Sequence, residues 1–159
     1  MATTDVLEKD NYFMMLAIDQ AKKASSLDEV PVGAVLVCDD QVISEAFNKR
    51  EALQLAGAHA EVLAIGKANQ IKKSWRLVPC TLYVTLEPCS MCAGAILNSR
   101  IKRLVFGARD PKAGAVESLY SLLSDSRLNH QVEFVGGVEE EKCSVLLKEF
   151  FTQLRQKSR

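Results

Sequence analysis

At 159 residues, 48% hydrophobic and 25% charged, the chain is sized for one folded domain, not for a disordered, fibrous or disulfide-stapled protein. Twenty Lys plus Arg balance twenty Asp plus Glu, so an RNA partner has to be held by a local basic patch and not by the overall charge. No apolar run approaches the roughly 20 residues that cross a bilayer, and the polar stretch 1–11 lacks the pattern of a secretion signal. A cytoplasmic location with no membrane partner is the expectation. Without repeats, low-complexity tracts or Gly/Ser/Pro-rich linkers, residues 1–159 read as a single domain.

Residues 10–24 carry Phe13, Ala17, Ala21 and Ala24 at three- and four-residue intervals, which predicts an amphipathic helix. The valine-rich segment 32–38, the pair Asp39-Asp40 and segment 41–47 predict a β-hairpin with a tight acidic turn. A helix follows over 58–69 through Val62, Leu63, Ile65 and Ala68, then a strand over 81–86. Pro88 sits where a helix begins, since its missing N–H would be unpaired there, and 90–98 continues that helix. A strand over 101–106, a helix near 117–123, a strand over 132–135 and a helix over 139–154 complete the pattern. Leu146, Leu147, Phe150 and Leu154 are the expected packing residues of that last helix, and Phe151 also reads as core. Strands alternating with helices imply an α/β layer fold with a partly parallel sheet, made mixed by the hairpin.

The chemistry concentrates in the middle of the chain. His59-Ala60-Glu61 opens one predicted helix, and Pro88-Cys89-Ser90-Met91-Cys92 opens another directly after a strand. Cysteines three residues apart share one side of a helical turn, whose unpaired N–H groups favour thiolate over thiol. One imidazole and two thiolates make three zinc ligands and leave a fourth position for water. Glu61 lies within reach of that water as a proton carrier. Taken alone, C-x-x-C also fits a redox pair or part of a four-ligand structural site. A redox pair leaves His59-Ala60-Glu61 unexplained. A structural site needs a further ligand, for which Cys38, Cys80 and Cys143 stand in apolar stretches and read as packed core thiols. His130 lies in a polar loop and reads as a surface residue.

The pattern H-x-E followed by P-C-x-x-C resembles the signature of zinc deaminases. The resemblance extends over nearly the whole chain to the bacterial tRNA-specific adenosine deaminases of the cytidine-deaminase-like superfamily. It is carried by Glu29-Val30-Pro31-Val32-Gly33-Ala34-Val35, by Asn48 and by Thr85 through Ala95 with Ser99-Arg100-Ile101. Asn129-His130 before the last strand and helix fits as well. Phe106-Gly107-Ala108-Arg109-Asp110-Pro111-Lys112-Ala113-Gly114-Ala115 discriminates most, since that loop is typical of the tRNA enzymes and not of free-base deaminases. Leu55-Ala56-Gly57 departs from the Asp-Pro-Thr-like run that usually precedes the metal His, and Gly57 is expected to allow an equivalent turn.

The resemblance implies a three-layer α/β/α fold with a mixed five-stranded sheet, a homodimer and one zinc ion per chain. His59, Cys89 and Cys92 would hold the metal. The implied reaction converts wobble adenosine to inosine in the anticodon stem-loop of tRNA. Zinc-activated hydroxide attacks C6, while Glu61 shuttles protons to N1 and to the leaving ammonia. Asn48 would read the base edge, and Asp110 and Lys112 would contact ribose and phosphate. The runs Lys72, Lys73, Arg76 and Arg100, Lys102, Arg103 are candidate phosphate contacts. A free nucleobase deaminase for guanine or cytosine is the competing enzyme, and a non-catalytic zinc-stabilised RNA-binding module is the competitor of another class.

Overall fold

The computed structural model describes residues 3–158; Met1, Ala2 and Arg159, which belong to the predicted 1–159 domain, lie outside the described residues. The chain runs α1 (Thr4–Ser26), β1 (Gly33–Cys38), β2 (Gln41–Phe47), α2 (Arg50–Leu53), α3 (Ala60–Lys72), β3 (Cys80–Leu86), α4 (Ser90–Asn98), β4 (Arg103–Ala108), β5 (Glu133–Val135) and α5 (Glu140–Lys157). The strands form one sheet in the order β2-β1-β3-β4-β5. β1 pairs antiparallel with β2 and with β3, whereas β3, β4 and β5 run parallel. The expected mixed five-stranded sheet is therefore present.

Side chains alternate across the sheet and build two cores. Ala34, Leu36, Leu82, Val84, Leu104 and Phe106 pack with α3 and α4 residues such as Ala64, Ile65, Ala93 and Ile96 on one side. Val35, Val37, Tyr83 and Val105 pack with Phe13, Met14, Ala17 and Ile18 of α1 and Cys143 of α5 on the other. This is the predicted three-layer arrangement. Helix α1 lies so close to β1 that a Cβ on Gly33 would sit 2.0 Å from the Ala17 carbonyl oxygen. The hairpin turn places Asp39 and Asp40 in the left-handed region at φ 52° and 61°, as a two-residue turn matching strand twist requires. Across the sheet, buried Asp10 accepts both Arg103 guanidinium bonds at 2.8 and 2.7 Å and the Tyr83 hydroxyl at 2.9 Å. Arg103 is thereby committed to the fold, and its expected place among the phosphate contacts is corrected.

Other expectations change as well. The helix near 117–123 is absent: residues 111–113 and 115–118 are turns, and a single 3-10 turn spans Leu122–Ser124. The N–H groups of Leu119, Tyr120 and Leu122 bond back to the carbonyls of Gly114, Gly114 and Ala115, five to seven residues away, so the four-residue ladder of a helix does not form. Cys38 and Cys80 are buried as expected but joined, since they are direct cross-strand partners with Cα atoms 4.4 Å apart and form a disulfide. The far end of α5 leaves the core: Leu154 is 49% exposed, Phe151 is exposed, and Phe150 is half-buried. His130 is half-buried, its Nε2 2.9 Å from the Ile101 carbonyl oxygen. No described helix is long and apolar enough to cross a membrane.

Candidate metal-centred active site

Two helix starts bring the chemistry together. His59 is the N-cap of α3 and Cys89 the N-cap of α4, both in extended backbone, and neither side chain spends its polar atom on capping its own helix. Glu61 then falls in the first turn of α3 and Cys92 in the first turn of α4. The side chains are thus free to converge at the positive ends of two helix dipoles. His59 Nδ1 lies 3.7 Å from Cys89 Sγ and 3.5 Å from Cys92 Sγ. All three donor atoms lie within 4.8 Å of one another, a group that could hold a metal ion.

The charges there are strongly biased. Hydrogen bonds from Cys92 and then His59 hold the Cys89 thiol down at about 3, a thiolate at neutral pH. The same contact with Cys89, with burial added, pushes the Cys92 thiol up. Contact with Cys89 raises His59. Glu61 is only 4% exposed, and burial raises its carboxyl above the usual range. A carboxyl so placed can hold a proton and release it within one site, as acid–base work requires.

The pocket around this group encloses about 150 Å³, and its lining includes Asn48, Arg50, Leu86, Glu87, Asp110 and Ala113 beside His59, Glu61 and Cys89. Asn48 follows β2, where its carbonyl oxygen accepts the Arg50 N–H at 3.1 Å and its amide donates to the Val30 carbonyl at 3.2 Å. One N–H and one lone pair of that amide remain for a ligand. Asp110 lines the pocket while its Oδ1 accepts the N–H groups of Lys112 and Ala113, closing a turn. Lys112 is exposed on that turn and is not part of the pocket lining. The structure thus assembles Asn48, His59, Glu61, Cys89, Cys92 and Asp110, and leaves Lys112 outside.

Three residues of this region escape a reading by motif. Arg50 reaches the rim and lowers the proton affinity of His59 by charge. Glu29, 1% exposed, accepts the N–H groups of Glu51 and Ala52 at 3.0 and 2.7 Å. It thereby caps α2, whose own N-cap residue Lys49 offers no side-chain bond. Glu87, 2% exposed, collects the backbone of residues 110–118. Burial alone would raise its carboxyl, but bonds from the Glu117 N–H, the Ser118 hydroxyl and the Ser118 and Asp110 N–H groups hold it at about 2. The signal available in the sequence was an acidic residue at the edge of each apolar segment, Glu29 before Val30 and Glu87 after Leu86. The turn before His59 is present, closed by Ala58 N–H to Leu55 O at 3.0 Å. Gly57 has open space around it and no left-handed backbone, so the turn does not depend on glycine.

The MafB19-like deaminase family model matches residues 7–155. The tRNA-specific adenosine deaminase of Bacillus subtilis strain 168 is 50% identical over 153 residues, covering 96% of this chain and 95% of that protein. A solved structure from work on A-to-I editing by tRNA:A34 deaminases superposes with a TM-score of 0.83 at 44% identity, covering 86% of this chain and 99% of that one. Guanine deaminase from Nitrosomonas europaea shares the fold, with a TM-score of 0.78 at 20% identity over 94% of this chain and 85% of that one. Sequence likeness along almost the full chain and a shared α/β layer fold lead to one conclusion: the chain belongs to the tRNA-specific adenosine deaminase family.

Proposed function

We propose that the protein hydrolyses the 6-amino group of the wobble adenosine in a tRNA anticodon loop, leaving inosine and releasing ammonia. The observation that carries this reading is a buried carboxyl, Glu61, beside a three-donor metal group in a pocket bordered by polar loops. Zinc fits the donors. At ordinary zinc bond lengths, tetrahedral nitrogen and sulfur ligands stand roughly 3.6 Å apart, and the His59–Cys contacts are 3.7 and 3.5 Å. Bound by His59, Cys89 and Cys92, one ion per chain would supply the Lewis acidity that brings water near its neutral-pH ionisation.

Glu61 moves the protons. It takes one from the attacking water as oxygen bonds to C6 and delivers it to N1. A second transfer through the same carboxyl carries the remaining proton from the C6 hydroxyl to the amino nitrogen; the C6–N bond breaks as C6=O forms, and ammonia leaves. Asn48 uses its spare N–H and lone pair on the base edge, and Asp110 and Lys112 meet ribose and phosphate. A base in a stacked duplex cannot reach a carboxyl this buried, so the nucleotide enters splayed out from a single-stranded loop.

Zero net charge requires a local basic surface for RNA, and such a surface supports the reading. Arg76 and Arg100 flank Trp75, which is 54% exposed, with their Cζ atoms 4.9 and 5.9 Å from its ring centre, and exposed Lys72 and Lys73 precede it in the chain. Exposed Leu53, Leu55, Leu119 and Tyr120 offer apolar surface for a second copy in a homodimer. The cytoplasm, where tRNA is found, is the proposed location. Incubation of the zinc-loaded protein with unmodified tRNA and with free bases, followed by nucleoside analysis, tests the proposal. Inosine at the first anticodon position is expected; deamination of a free base alone overturns the substrate.

A further inference from the structure

The loop that carries Asp110 has neither helix nor strand to hold it, and its backbone converges on one carboxylate instead. Glu87 Oε1 accepts the Asp110 N–H at 3.1 Å and the Ser118 hydroxyl. Its Oε2 accepts the N–H groups of Val116, Glu117 and Ser118 at 3.2, 2.9 and 2.9 Å. Two backbone bonds close the seam: Glu87 N–H to Ala108 O and Ala115 N–H to Pro88 O, both at 2.8 Å. One short segment, Glu87-Pro88-Cys89, therefore presents a metal-ligand candidate on one side and grips the loop bearing Asp110 and Ala113 on the other.

The residue types fit no looser arrangement. An ionised carboxylate accepts at both oxygens and donates nothing, which is what a cluster of inward-pointing donors needs. Gly114 completes the fit, since a Cβ there would lie 2.4 Å from a carboxylate that its hydrogen bonds hold in place. No cation pairs with Glu87 among the described residues; its partners are N–H groups and one hydroxyl.

We infer that Glu87 is a positioning residue for the deamination, acting through Asp110 by fixing the substrate loop against the turn that carries Cys89. The inference rests on the proposed role of Asp110 as a substrate contact. A Glu87→Gln substitution isolates the effect. The amide oxygen keeps the side with three N–H donors, which leaves the NH2 group facing the Asp110 N–H and the Ser118 hydroxyl. The hydroxyl can rotate to accept; the Asp110 N–H cannot, and it is released.

The test is a double-mutant cycle of Glu87→Gln and Asp110→Ala on an anticodon stem-loop, with zinc content and hydrogen exchange measured on each protein. Glu87→Gln is expected to raise KM about tenfold, to move kcat less than about threefold and to leave zinc content unchanged. In the Asp110→Ala background it should add less than about twofold. Exchange should accelerate over residues 110–118 and stay unchanged in α4. A tenfold effect that persists without Asp110, or a fall in kcat or zinc content at constant KM, overturns the inference. If Glu87→Gln does not fold, Ser118→Ala carries the same cycle with a smaller shift of the same sign. If the wild type deaminates only a free base, the proposed function fails first. Hydrogen exchange then decides on Glu87 alone, and unaltered exchange over 110–118 rejects it.

Discussion

One wall of the pocket is made of the starts of α3 and α4, and the other of short segments pinned by distant carboxylates. On the first, His59 and Cys89 cap α3 and α4, and Glu61 and Cys92 follow in the first turns, so each group is placed by helix geometry within a few residues of its neighbour. On the second, residues 48–53 and 110–118 are placed by buried carboxylates distant in sequence. Glu29 acts across 22 and 23 residues, and Glu87 across 23 to 31. In the proposed reaction the first wall holds the reacting groups, and the second decides where a substrate lies against them. Damage to the first should therefore appear in turnover, and damage to the second in binding and stability.

The sharpest test of that division is Glu61→Gln, which keeps shape and removes the proton carrier. Turnover on the stem-loop should fall about 10²- to 10⁴-fold, with zinc stoichiometry and RNA affinity as in the wild type. A variant that keeps more than about a tenth of wild-type kcat would move proton transfer to another group. On the loop wall, Glu87 gives the largest effect and it depends on pH. Its folded carboxyl sits at about 2 against an ordinary 4.5, a depressed value, so its stabilisation is complete above 4.5 and is lost as pH falls toward 2. Denaturant unfolding, with chelator present for both proteins, should show the advantage of wild type over Glu87→Gln shrinking by about 3 kcal/mol between pH 5 and pH 2. A gap that stays constant over that range would mean that the loop is not held by charge.

The division also explains what was legible in the sequence. Layers, strand order of appearance and the His59, Glu61, Cys89, Cys92 cluster follow from local periodicity and spacing, because helix caps translate a short motif directly into geometry. The bonds of Glu87 and Glu29 join residues that no periodicity links, so the motif around Cys89 was visible while the purpose of the glutamate inside it was not. The helix expected near 117–123 is missing for a similar reason: the N–H groups of Leu119, Tyr120 and Leu122 return to Gly114 and Ala115 and not to the residue four back. Arg103 and the Cys38–Cys80 pair changed roles for a related reason, since the packing of α1 on the sheet brought Asp10 to Arg103 and strand register brought Cys38 to Cys80.

Smaller effects test how far the loop wall extends. Glu29→Gln replaces one of two acceptors at the start of α2 with a donor, leaving a helix N–H unpaired. A loss of about 1–2 kcal/mol is expected, or about 3–6 °C in calorimetric Tm, with zinc content unchanged. An unchanged Tm would make the cap dispensable and reduce the wall to the Glu87 loop.

Lys112 marks the outer limit of that wall. Its backbone N–H closes the Asp110 turn, but its side chain is exposed and lies outside the pocket lining. Lys112→Ala should therefore leave both the turn and kcat intact and remove a single screened contact to phosphate. Binding of a stem-loop to the Glu61→Gln protein, followed by anisotropy against salt, should weaken a few-fold at low salt, with the slope of log K on log salt reduced by about 1. A change in kcat with an unaltered slope would instead place the lysine beside the reacting base, extending the catalytic wall across a loop that the Asp110 turn otherwise separates from it.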